Sequence, residues 1–422
     1  MTMKNVMLLA ALLACGDACA ETLFINDATV HTMGIRAVMQ DADILVRDGR
    51  IQNLGVGLEA PADATVIEAN GRPVTPGLFA GITAHGLVEI SMVEHSADGT
   101  LGGEEMRPEF DVSPAYNPWA STIPVTRIEG LTWALLGAAQ EGSIIGGQGQ
   151  AVSLDGGYDS FLGNKVLFIS IGGGSSDKSD GSRAAQWMLL KQALAEATSE
   201  VSWLPRPLLT PTGREALKSY LDGGTVIFGA DRASDILQVL VFAEKHQLNA
   251  VIAGGAEAWK VAGELAAAGV PVLLDPLANL PGNFDQLGAR LDNAALLHEA
   301  GVSIAFTGAD THNARKLRQA AGNAVANGLA WEAALAALTS SPAAILGLED
   351  GHGAIEPGNS ADLVLWSGDP LEVTTAADQV IIAGKAIDMV SRQTLLRDRY
   401  LPRDPGMPRA YIKPTTETGD PQ

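Results

Sequence analysis

Between Gly130 and Phe306 the chain alternates short apolar runs with stretches whose apolar residues recur three and four positions apart, and this alternation restricts the fold more than any other feature. The runs fall at 130–136, 226–228, 250–253, 270–274 and 302–306. Ile236, Leu237, Leu240 and Val241, after the second run, carry the helical spacing. Strands separated by helices build βαβ units and a parallel sheet. The predicted class is therefore α/β, a (β/α)8 TIM barrel, where functional residues collect at the strand C-termini.

Upstream, from Thr22 to Thr75, short apolar runs are broken by turn residues, and Asp48-Gly49 between two of them is a strong two-residue hairpin signal. This predicts a small β-domain. Residues 380–385 predict another strand far downstream. The first twenty residues are set apart. Lys4 precedes an apolar run at 6–14, and Ala18-Cys19-Ala20 has the small-x-small form of a signal-peptidase site. Residues 1–20 are read as a signal peptide, with the mature chain starting at Glu21 and exported to the periplasm. The alternative reads Leu12-Leu13-Ala14-Cys15 as a lipoprotein box, which would anchor the protein through Cys15. Cys15 and Cys19 are the only cysteines, so cleavage after Ala20 removes both and leaves no disulfide, thiol nucleophile or Cys-ligated metal.

With 47 glycines, few aromatics and 46% hydrophobic residues, the 422-residue chain suits an α/β protein with tight strand-to-helix turns. Its formal charge of −21, with no run of Lys or Arg, argues against a nucleic-acid partner, which needs a basic face. No transmembrane segment is expected once the signal is cleaved. The glycine-rich stretches 146–149 and 172–176 lack the Gly-Lys-Ser/Thr ending of a phosphate loop and are read as flexible loops at the barrel mouth. No Gly-x-Ser-x-Gly nucleophile elbow occurs.

The stretch Val-Thr-Pro-Gly-Leu-Phe-Ala-Gly-Ile-Thr-Ala-His-Gly at 74–86 resembles the first barrel strand of the amidohydrolase superfamily. Asn117-Pro118, followed by Thr126-Arg127-Ile128-Glu129-Gly130, resembles its exported, imidazolonepropionase-like branch. Residues 353–366 are similar to the family segment that returns to complete the N-terminal sheet. The resemblance implies a barrel at 76–348 and a composite β-sandwich built from 21–75 and 349–403, followed by a flexible tail at 404–422.

In that family a His-x-His pair, two later histidines and an aspartate hold a catalytic divalent metal. Carried over residue by residue, the four histidine positions read Ile82, Ala84, Gly229 and Gly254, and only the aspartate remains, as Asp310. No alkyl group or hydrogen donates a lone pair to zinc. One carboxylate falls far short of a tight site, and without the metal no bound water is activated. No cofactor is expected, with a single weakly bound divalent metal on His85, Asp310 and His312 as the alternative. Asp310 is the candidate catalytic residue and His85 and His312 the candidate binding residues. His85 follows Ala84 by one position, so on a strand it faces the other way.

The resemblance thus implies an amidohydrolase acting on C–N bonds, while the missing donors imply a pseudoenzyme, a non-catalytic partner of an active homologous hydrolase. Two alternatives stand beside it. One is an active hydrolase of non-peptide or peptide-like C–N bonds using Asp310 and a nonstandard site. The other is a periplasmic small-molecule binder that reuses the barrel mouth.

Overall fold

A computed structural model describes residues 22–90, 93–198, 206–308 and 310–401. Residues 1–20, read above as a signal peptide, with Cys15 among them, and the tail at 404–422 lie outside the described residues.

Period-two burial lays down the first sheet. β1 (Leu23–His31), β2 (Val38–Arg47) and β3 (Arg50–Val56) form an antiparallel meander. The β2–β3 turn is Asp48-Gly49, both with positive φ (54° and 76°), the conformation a two-residue hairpin requires. β4 (Thr65–Glu68) and β5 (Pro73–Pro76) then pair in parallel with successive parts of β1. The chain returns much later: β16 (Leu363–Trp366) lies antiparallel to β5, with Val364 opposite Thr75. The segments from both ends of the chain make one hydrogen-bonded sheet of eight strands, in which β1 is bulged and passes its edge from β4 to β5. Leu23, Ile25, Ile44, Val46, Leu363 and Leu365 bury one face of it. Val364 and Trp366, of opposite parity, join the barrel core.

The barrel begins with β6 (Leu78–Thr83). The excursion after it carries β7 (Thr100–Leu101), the short helix α1 (Thr122–Arg127), β8 (Leu131–Leu136) and β9 (Ala139–Gln140), which pairs with β7. β10 (Ile145–Ser153) and β11 (Phe161–Ser170) follow. Helices α2 (Arg183–Thr198) and α3 (Pro211–Leu221) lead to β12 (Thr225–Ala230). α4 (Ala233–His246), β13 (Asn249–Gly254), α5 (Ala262–Ala268), β14 (Val272–Leu274), α6 (Asn293–Glu299) and β15 (Ile304–Phe306) complete the alternation. Then come α7 (Leu317–Ala326), α8 (Trp331–Ala336) and α9 (Ser340–Ile345). β17 (Ala377–Ile382) and β18 (Lys385–Ala386) extend the first sheet beyond β16, and α10 (Arg392–Tyr400) closes the described chain.

The eight barrel strands are ordered β6-β8-β10-β11-β12-β13-β14-β15. Side chains help close the seam between β15 and β6: Thr307 Oγ1 accepts from Ile82 N at 2.9 Å and Thr311 Oγ1 from Ala84 N at 2.8 Å. β10 runs antiparallel to both neighbours, so one βα unit is replaced by hairpin-like pairing. The connections 137–144 and 154–160 are too short for a parallel crossover, which takes a dozen or more residues.

The glycine-rich stretch 146–149 is therefore strand rather than mouth loop. A Cβ on Gly149 would fall 1.8 Å from the Leu136 carbonyl oxygen of the paired strand, so glycine is what allows the approach. Inside the barrel Phe79, Trp133, Leu135, Val166, Ile227, Val251, Leu273 and Ala305 pack together, Phe79 and Trp133 with ring centroids 4.4 Å apart. No described helix is long and apolar enough to cross a membrane.

Candidate functional site

Each of the four positions that the resemblance aligns with family donors, Ile82, Ala84, Gly229 and Gly254, lies near or just past a strand C-terminus, where the fold directs side chains to the mouth. Ile82 turns inward after a bulge at Gly81 (φ 85°) and packs on the interior cluster beside Phe79 and Leu135. It crowds the next strand: a Cβ on Gly137 would sit 3.0 Å from Ile82 Cγ2. Ala84 is half-buried against the larger core. The two glycines differ. Gly229 sits in regular strand, and a Cβ there would meet nothing closer than 3.8 Å. Gly254 has φ +97° and a Cβ would come within 2.6 Å of Asp231 Oδ1.

That difference predicts unequal tolerance. Gly254→Ala is expected to destabilise the protein by about 1–3 kcal/mol, from left-handed strain and the displaced carboxylate. Gly229→Ala is expected to change stability by less than about 1 kcal/mol. Urea midpoints compare the two; equal losses would remove the distinction.

Asp310 and His312 are exposed and flank Thr311 at the start of a 3₁₀ turn, Thr311–Lys316. Asn313 Nδ2 lies 3.4 Å from Asp310 Oδ2 and 3.1 Å from His312 Nε2. His85 is elsewhere. Fully buried, it points outward to α1, its Nδ1 2.7 Å from Thr83 Oγ1 and its Nε2 2.8 Å from Thr126 Oγ1. Both ring nitrogens are engaged, and burial pushes its pKa down to about 4. Both ring nitrogens of His85 are thus held by threonine hydroxyls rather than by Asp310 or His312. Among the described residues, no group of three or more His, Cys, Asp or Glu is placed to hold a metal ion.

The mouth is instead lined by residues the motifs did not single out. Asp275 follows β14 two positions after the inward-facing Leu273, so it shares that parity. It is half-buried and accepts from Leu277 N at 2.9 Å; burial outweighs that bond and raises its carboxyl above the usual carboxylate range. An Asp directly after an apolar strand run was the available signal, but only burial gives it chemical interest.

Around it, residues 275–292 are tied to the strand ends. Arg183, opening α2, pairs with Asp235 at 3.0 Å and with Asp285. Asp285 also accepts from Gly173 N, so the glycine-rich stretch at 172–176 does lie at the mouth. Asp231 Oδ2 accepts from Gln286 Nε2 at 2.8 Å. Glu257 binds Lys260 Nζ (2.6 Å), Gly288 N (3.0 Å) and Ala233 N (3.2 Å). Burial would raise the Glu257 carboxyl, but Lys260 and these bonds outweigh it and hold the pKa below its ordinary value. Chemically, the mouth offers one carboxyl biased toward its protonated form and several that are neutralised in ion pairs.

Comparison with known proteins matches this architecture. A sequence model described as Amidohydrolase family matches residues 300–388. The crystal structure of an amidohydrolase from Thermotoga maritima MSB8 superposes with a TM-score of 0.76 and 25% identity, covering 87% of this chain and 99% of that one. A triazine hydrolase from Arthobacter aurescens shares the fold at a TM-score of 0.53 and 16% identity, over 90% and 98% of the two chains. Among curated proteins, amidohydrolase tasK of Hapsidospora irregularis is 48% identical over 59 residues, and a dihydroorotase of Geotalea daltonii is 65% identical over 37 residues. These stretches cover 14% and 9% of this chain but only 6% and 9% of those relatives. The barrel with its returning sheet, the match to the T. maritima structure and the family match at 300–388 together place this chain in the amidohydrolase superfamily.

Proposed function

We propose that this chain is an exported, non-catalytic amidohydrolase-superfamily protein that associates with an active homologous hydrolase. The observation that carries the reading is the set Ile82, Ala84, Gly229 and Gly254 at the strand ends. None supplies a lone pair, Ile82 is committed to the interior packing, and Gly254 adopts a backbone conformation that disfavours any side chain. The donor set does not fit a divalent metal centre. The barrel around it keeps a full interior, as expected if the scaffold serves recognition.

Asp275 favours a second reading. A half-buried carboxyl with a raised pKa suits general acid–base work on a C–N bond, and Asp310 follows the next barrel strand, β15, as a second carboxyl. Protein purified without chelator, then assayed on amides and dipeptides with added zinc or manganese, separates the two. The proposal expects metal below about a tenth of an equivalent, no turnover, and recovery of a homologous hydrolase after cross-linking in the native compartment. Turnover that is lost on Asp275→Asn or Asp310→Asn would establish the second reading instead. Failure to recover a homologue would remove the partner role.

A further inference from the structure

A cavity of about 310 Å³ lies between α1, the Thr311–Lys316 turn and α10, away from the barrel interior. Its walls carry three basic side chains, His312, Arg315 and Arg392, and no acidic one, in a chain with 49 acidic residues against 28 Lys and Arg. Arg315 gives one N–H to the His312 carbonyl at 2.8 Å and keeps the rest of its fork. Among the described residues, no hydrogen bond or ion pair engages the Arg392 guanidinium. Thr122 Oγ1, also in the wall, is buried without a partner. Val125 and Leu396 supply an apolar side.

Two guanidiniums without a carboxylate partner among the described residues, facing one small concavity in a strongly acidic protein, have a matching chemistry. We propose that this cavity binds a small organic or inorganic dianion, a dicarboxylate or a phosphate, with Arg315 and Arg392 as its two clamps. Planar guanidinium forks bind the two oxygens of a carboxylate or phosphate at once, and the volume suits a molecule of a few heavy atoms. Thr122 gives a hydroxyl, and Val125 with Leu396 accommodates a short carbon chain. None of Ile82, Ala84, Gly229, Gly254 and Asp310 lines this cavity, so dianion binding there is tested separately from the proposed loss of catalysis.

Titration calorimetry on the full chain at low ionic strength tests it with sodium succinate, inorganic phosphate and neutral succinamide. At least one dianion is expected to bind and the diamide not to. Arg392→Gln and Arg315→Gln should each weaken binding about tenfold or more, the loss typical of a charge-assisted bond. Arg399→Gln, on the same helix but outside the cavity, should leave affinity within about twofold. Binding of succinate alone identifies a carboxylate site and of phosphate alone a phosphate site. No dianion bound at about 10 mM, or equal effects of Arg392→Gln and Arg399→Gln, would overturn the proposal.

Discussion

Arg318→Ala is expected to cost the fold roughly 3–5 kcal/mol. Arg318 lies in α7 and is only 2% exposed. Its Nη1 donates to the carbonyls of Pro370 (3.1 Å) and Glu372 (2.8 Å), and its Nη2 to that of Thr375 (2.6 Å). Glu129 approaches to 3.7 Å, and the guanidinium lies 5.4 Å from the Trp366 ring centroid. Burial lowers its pKa, opposed by Glu129, but an arginine so placed stays charged. One side chain thereby ties a barrel helix to the segment joining β16 and β17. Truncation leaves three carbonyls without their donor in a site closed to water. Arg318→Lys should recover only part of the loss, because an ammonium lacks the fork that reaches all three. Denaturant midpoints measure both; a loss under about 1 kcal/mol for Arg318→Ala would show that these carbonyls find other partners.

Acidification should act through His85. Its folded pKa is about 4 against 6.5 for the free side chain, so between those values the unfolded chain binds more protons than the folded one. Stability rises with pH across that window. The contribution is fully present above about pH 6.5, is lost as pH falls toward 4, and levels off below; it amounts to about 3 kcal/mol. His31 and His246 are lowered as well, both chiefly by burial, so the wild-type curve alone does not isolate the effect. The difference between wild type and His85→Gln does. Glutamine can still bond the Thr83 and Thr126 hydroxyls but does not titrate. Parallel curves for the two proteins from pH 4 to 7.5 would sink the assignment.

Particular residues show where the sequence could be read and where it could not. The Asp48-Gly49 turn and the alternating apolar runs were legible because each rests on local chemistry: positive φ, period two, period 3.6. The return at 363–366 was legible only through the resemblance of 353–366 to a family segment. The outward direction of His85 followed from strand parity in the same way. Glycines 146–149 were misread as loop, since a local window contains no trace of the Leu136 carbonyl that makes them necessary. Asp275 went unnoticed for a related reason. Its raised pKa comes from burial, which many distant residues create together.

What the sequence determined by itself is therefore the succession of strands and helices, and the residue types at the strand ends. Side-chain identity and local periodicity are properties of the chain, and no packing alters them. Tertiary structure alone decided the reversed direction of β10, the different constraints on Gly229 and Gly254, and the meeting of Arg315 with Arg392 in one cavity. Those depend on distances between segments far apart in the chain, which arise only when the barrel closes and α10 folds back over α1.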